Sequence, residues 1–365
     1  MLRTTKVCLA EIQLAKRAKR AALLKDCQLG RQNLSRVNLL GADLRGANLS
    51  FSKLSTTNLT RANLAGANLS DVDLSTALLS GAVMTSVNLE RSNLSGQTLD
   101  EINLSFAQLN SATLRNVSAR NVNFTAASFS SATIDNSDLS GSNLVNAYFV
   151  GSKILRSNFS GSDLRWAQIQ WMDLRTASFS GSNLGGAQLQ GTQLDGMRLA
   201  GANLREANLQ KATISGSCPA AMAGAFLQFV NISGLNCSGS DFSQSNMAWA
   251  DLRGTVLSGA KLSSVLLFGA QLRGASFENV DLRWANLRSV DLTGLNFSGA
   301  DFTGAKLVAS NVTGANFTRV DFTRSDLSLA SGWYSTARAG ACFRGTVLPS
   351  GDKVWHGGTL APGCR

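Results

Sequence analysis

From Leu29 onward every fifth residue is apolar, and the phase holds through Leu34, Leu39, Leu44 and Leu49 to Ile214. That makes 38 successive positions, all Leu, Ile, Phe or Met except Ala119. The phase then slips by three residues and resumes at Ile232, Cys237 and Phe242, giving 20 further positions to Leu327. The residue two before each apolar one is usually small, as at Ala42, Ala47, Ser142, Ser162 and Ala202, and the residue just before it is Asn or Asp in 20 of the first 38 units. A period of five matches neither the 3.6 of a helix nor the 2.0 of a strand. So long an apolar ladder has to be buried, and units too short to bury it alone do so by stacking on their neighbours.

Units such as GADLR (41–45), GANLS (46–50) and GANLR (201–205) carry the pattern A(D/N)LXX, which resembles the pentapeptide-repeat family. The resemblance implies an all-β right-handed quadrilateral β-helix with four pentapeptides per coil. In it the central Leu or Phe and the small residue two before it point inwards. The two periodic blocks cover 27–216 and 230–329, and at a strand spacing of about 4.8 Å their coils would stack to roughly 70 Å.

Three segments lie outside the period. Residues 1–26 read as a helix with Val7, Leu9, Ile12, Leu14, Leu23 and Leu24 as its apolar members: a cap over an open first coil, a basic docking arm, or a targeting segment of the transit-peptide kind. Residues 217–229 carry no charge and read as an apolar joint, packed on the solenoid or exposing Phe226 and Phe229 to a partner. Residues 330–365 form a C-terminal cap, with a hairpin around Pro349-Ser350-Gly351. His356 is assigned no chemistry.

Charge refines the picture. The chain is +11, with 34 Lys and Arg against 23 Asp and Glu. Residues 1–26 contribute +5 and 330–365 contribute +3, which leaves +3 for all the repeats. The best-known activity of the resembled family is binding DNA gyrase by mimicking duplex DNA. It needs an acidic array that reproduces phosphate charge, and here the sign is wrong. Direct nucleic-acid binding calls for a basic stripe, which nearly balanced repeats do not supply.

No stretch reaches the eighteen or so apolar residues of a membrane span, and the basic residues within 1–26 interrupt any signal-like apolar run. A soluble, cytoplasmic protein is expected. Cys27 and Cys237 occupy inward positions, and Cys218 with Cys237, or Cys342 with Cys364, are spaced for disulfides. A cytoplasmic setting makes reduced thiols the default, and no CxxC pair points to zinc. A single His, repeat-bound Asp residues and no phosphate-cradling loop leave no catalytic constellation and no cofactor.

What remains is a surface for partners. Trp166, Trp171, Trp249 and Trp284 each fall two after a central residue, an outward position shared by Phe51 and Phe106. Arg165, Arg175, Arg253, Arg273, Arg283 and Arg288 fall one after. Trp and Arg are enriched at interface hot spots. The candidate contact residues are Trp166, Trp171, Arg165, Arg175, Trp249, Trp284, Phe226 and Phe229, with Lys16, Arg17, Lys19 and Arg20 at the basic N-terminus. Together they suggest a non-enzymatic scaffold for acidic protein partners. The resemblance makes a phycobilisome rod linker contacting phycobiliproteins, at the cytoplasmic face of a photosynthetic membrane, the most specific version. The competing reading is a regulator of a nucleic-acid enzyme such as a topoisomerase. An end-to-end homodimer through the last coils stays open.

Overall fold

The computed structural model describes residues 3–354. His356, Arg365 and Cys364, the proposed partner of Cys342, lie outside the described residues. The chain divides into two compact units, Met1–Leu184 and Gly185–Arg365.

In the first unit the ladder begins at Leu24, one pentapeptide earlier than the periodicity suggests, and its central residues are buried through to Leu184. The residue before each centre bridges in parallel to the residue 20 positions on, as in Asn48↔Asn68 and Asn68↔Asn88. A coil is therefore four pentapeptides. Most pairings are single bridges; β1 (Thr113–Arg115), β2 (Thr133–Asp135) and β3 (Lys153–Leu155) extend them into a short three-stranded ladder that aligns Leu114, Ile134 and Ile154.

Each position in the pentapeptide has its own physical cause. The Asn or Asp before the centre turns its side chain back, so that the Ser50 N–H donates to Asn48 Oδ1 at 3.1 Å and the Leu40 N–H to Asn38 Oδ1 at 3.1 Å. This Asx closure makes the corner. The residue two after the centre turns left-handed, at φ 56° for Arg61 and 57° for Trp166. The small residue two before fits inside the corner; where it is Ser its hydroxyl can donate to the previous central carbonyl, as Ser52 does to Leu49 at 2.6 Å, or to a central carbonyl of the coil before, as Ser142 does to Ala119 at 2.7 Å. Central rings stack along the coil axis, with Phe129 and Phe149 4.8 Å apart and 3° from parallel.

The N-terminal segment is only partly helical. Helix α1 spans Thr5–Arg17 and buries one stripe, Cys8, Ile12 and Ala15. Of the apolar residues expected to anchor it, Val7, Leu9, Leu14 and Leu23 are exposed. The cause lies on either side of the helix. Arg3 already bridges Cys27, Leu24 has joined the ladder, and a Cys8–Cys27 disulfide ties the helix to the first coil.

The second unit holds the phase change, and the segment expected to be an apolar joint is largely repeat. Met222 and Leu227 are fully buried ladder residues. Only two residues are missing from one coil, so Asn203↔Ala221, Asn208↔Phe226 and Thr213↔Asn231 bridge across 18 positions before the spacing of 20 returns at Ala221↔Asp241. The preceding coil yields at this place through a 3-10 turn, Gly196–Leu199, capped by Asp195. A Cβ on Gly196 would collide with the Ser217 carbonyl. Strands β4 (Gln193–Asp195) and β5 (Thr213–Ser215) pair beside the break, and the Cys218–Cys237 disulfide spans it.

At the far end one residue is gained, with Asn316↔Ala337 and Asp321↔Cys342 spanning 21 positions. Trp333 is buried there among Phe317, Phe322 and Phe343. The expected turn at Pro349-Ser350-Gly351 joins antiparallel β6 (Thr346–Val347) and β7 (Lys353–Val354).

Two disulfides among the described residues stand where reduced thiols are expected from the sequence. Cys8 is the partner that spacing alone did not suggest; it meets Cys27 because α1 turns its buried stripe onto the first coil.

Candidate interaction surface

Trp166 and Trp171 project outward, 51% and 66% exposed. As neighbours in consecutive units of a four-sided coil, they are expected on adjacent faces around one corner. Instead they stand at the two corners that bound a single face, that of Ile169, because each closes its own unit in the left-handed conformation. In the first unit the other exposed aromatics, Phe51, Phe106 and Tyr148, lie on this same face, stacked coil upon coil, or on its bounding corners.

The second unit follows the same rule independently, with the exposed Tyr334 as its exception. Phe226, Phe229, Trp249, Phe268 and Trp284 all lie on the face of Leu227, Met247, Leu267 and Leu287 or on its bounding corners. Phe226 and Phe229 therefore belong to the repeat surface and are not a protruding hook. Phe268 is a member that counting Trp residues missed; its signal is a Phe outside the central register.

The arginine candidates divide into two groups. In the sequence Asp-Leu-Arg the carboxylate and the guanidinium both point out, two residues apart, and they pair: Arg165 reaches Asp163 and Arg175 reaches Asp173 at 2.7 Å, as do Arg253 with Asp251 and Arg283 with Asp281. The Arg175 guanidinium holds the Asp173 carboxyl below the usual carboxylate range, and Arg253 does the same to Asp251. These charges are answered locally. Arg165 also lies over the Trp166 ring at 5.5 Å, a cation–π contact that braces the indole. Arg288, preceded by Asn286, forms no ion pair with a described residue.

Among the N-terminal candidates, Arg20 pairs with Glu11 at 2.6 Å. Lys16, Lys19 and Arg20 line a cleft of about 540 Å³ with Arg36, between α1 and the first coil. Arg17 is exposed at the end of α1. No group of His, Cys, Asp and Glu able to hold a metal ion occurs among the described residues, and no described helix is long and apolar enough to cross a membrane.

The family described as pentapeptide repeats matches residues 22–96, 102–218 and 222–331. No curated protein matches. Three solved structures illustrate the likeness. A pentapeptide repeat protein of the Arabidopsis thaliana thylakoid lumen is 29% identical over 29% of this chain and 63% of its own length, with a TM-score of 0.16. HetL, involved in heterocyst differentiation regulation in the cyanobacterium Nostoc, is 18% identical over 94% of this chain and 98% of its own, with a TM-score of 0.14. QnrB1, a plasmid-mediated fluoroquinolone resistance protein, is 16% identical over 67% and 95%, also with a TM-score of 0.14. At such scores these likenesses carry no weight for function or arrangement. The repeats themselves, matched over most of the chain, decide the matter: the chain belongs to the pentapeptide-repeat family.

Proposed function

We propose that the chain is a non-enzymatic scaffold that binds acidic protein partners. The observation that supports this most is the gathering of exposed aromatic rings on one face in each unit, joined by basic side chains without local partners. Buried stacks explain the inward Phe residues; nothing internal needs Trp171 or Trp284 at the surface. The phycobilisome linker is the most specific version, and it carries an added requirement. It would place the chain in a cytoplasm that keeps thiols reduced, whereas two disulfides favour an oxidising compartment.

The test is affinity purification of the intact, oxidised chain from native cells, with stepwise elution by salt. Acidic proteins released as ionic strength rises would support the reading. Recovery of topoisomerase or nucleic acid would replace it with the regulator, and recovery of nothing would remove it.

A further inference from the structure

We infer that the aromatic face of the second unit is a docking surface for an acidic protein partner, centred on Trp249 and Phe268. The inference rests on the scaffold reading and adds to it a place and a chemistry. Phe226, Phe229, Trp249, Leu266, Phe268 and Trp284 are all exposed on adjoining coils of one face or its corners. A gathering of large apolar side chains at the surface is the usual mark of an interaction site.

Three features define the occupant. First, the rings are already used against each other. Phe229 and Trp249 stack 5.3 Å apart and 6° from parallel, while the opposite side of the indole covers Gly269, where a Cβ would come within 2.6 Å of it. Phe268 meets Trp249 edge to face at 87°. The indole therefore offers its rim and no open flat side to solvent. A sugar ring would need the flat side; apolar protein side chains pack well against a rim.

Second, the rings are held at a conformational cost. Phe229, Trp249 and Trp284 have φ of 59°, 56° and 61°, in the left-handed region that bulky residues avoid. At the equivalent corners Gly269 and Gly304 carry no side chain, and Trp249 and Trp284 lie across them. The repeat imposes this φ at nearly every corner, Arg61 included, so what sets these three positions apart is a bulky ring where Gly is the easier residue.

Third, the charge beside the rings is basic, the nearest carboxylates being Glu206 at the corner before Gly224 and Asp326 in the row after Lys306. From Gly224 to Ala309 no Asp or Glu stands on this face or its bounding corners. Lys211 adjoins Phe229 from the preceding coil, Arg288 follows Phe268 and Lys306 continues the row of Leu266; all three are exposed, and none forms an ion pair with a described residue. An apolar centre free of carboxylates, with basic groups beside the rings, complements an acidic protein surface.

The test uses the full oxidised chain with a benzophenone side chain as the probe, built in at Phe268 and irradiated in native cells. We expect a cross-link to a protein whose attached peptides are acidic. It should fall at least tenfold in Trp249→Ala and in the double variant Arg288→Glu with Lys306→Glu. Circular dichroism and melting check that both keep the fold, and the charge variant serves if the Trp variant does not. Cross-links only to a second copy, only to glycan, or none at all would overturn the inference, as would an adduct indifferent to the charge reversal. If an acidic partner still co-purifies while Phe268 stays unlinked, the scaffold reading stands and only this surface fails.

Discussion

Left-handed corners set the terms at the scale of single residues. Nearly every described corner takes φ near +60°, which Gly adopts freely and an L side chain adopts at about 1–2 kcal/mol. Trp171, at φ 62° and exposed, meets that cost with no ladder contact to offset it. Trp171→Gly should therefore raise thermal stability by up to about 1 kcal/mol while weakening partner binding, a trade of stability for function. Unchanged melting would show that the ring is held by packing. The ladder behaves in the opposite way. Leu104 is fully buried, and Leu104→Asp places an unpaired charge in the core at a cost of several kcal/mol; circular dichroism should show neighbouring coils lost.

The Asp-Leu-Arg pairs give the pH dependence at this same scale. Hydrogen bonds from Arg175 and Arg253 hold the carboxyls of Asp173 and Asp251 low. A carboxyl lowered in the folded state adds stability that is fully present above its unfolded value and is lost as pH falls through the folded one. Melting should be flat from neutral pH down to the ordinary carboxylate range and decline only below it. Being exposed, the pairs contribute little each, and a steep decline near neutrality would point to another group.

At the scale of elements, the two disulfides sit where the repeat is least regular, one at α1 and one at the shortened coil. A cross-link closing a loop of about twenty residues stabilises by roughly 3 kcal/mol in the chain-entropy account. Cys8→Ser should therefore speed hydrogen exchange in α1 and leave the later coils protected, since stacked repeats open locally. Exchange that rises evenly over the whole first unit would contradict this. These elements also mark the limit of sequence reading. The ladder, the outward Trp residues and the closing turn at Pro349-Ser350-Gly351 were legible because local spacing fixes them. The pairing of Cys8, the exposure of Leu14 and the ladder places of Met222 and Leu227 were not. They depend on which coil a segment meets, and one shortened coil shifts the register by two. For the same reason Phe226 read as part of a joint: only once Leu227 is a ladder residue do 20-residue spacings put Phe226, Phe268 and Trp284 on one face or its bounding corner.

At the scale of the whole molecule, net charge understates how the basic groups are distributed. Several repeat arginines are answered by an Asp two residues away, so the charge available to a partner lies with unpaired groups such as Lys211, Arg288 and Lys306 and with the N-terminal cluster. Replacing Lys16, Arg17 and Lys19 with Gln should reduce the salt dependence of partner binding without altering α1, because Arg20 keeps its pair with Glu11. The central claim is that acidic proteins bind this chain through exposed aromatic and basic side chains. Its most direct test is the affinity of the native partner for the wild-type chain and for Trp249→Ala with Phe268→Ala, each measured at low and high ionic strength. The account predicts wild-type binding that weakens as salt rises, and a loss of about 2 kcal/mol or more, roughly thirtyfold, in the variant at low salt. Equal affinities for the two chains, or binding indifferent to salt, would contradict it.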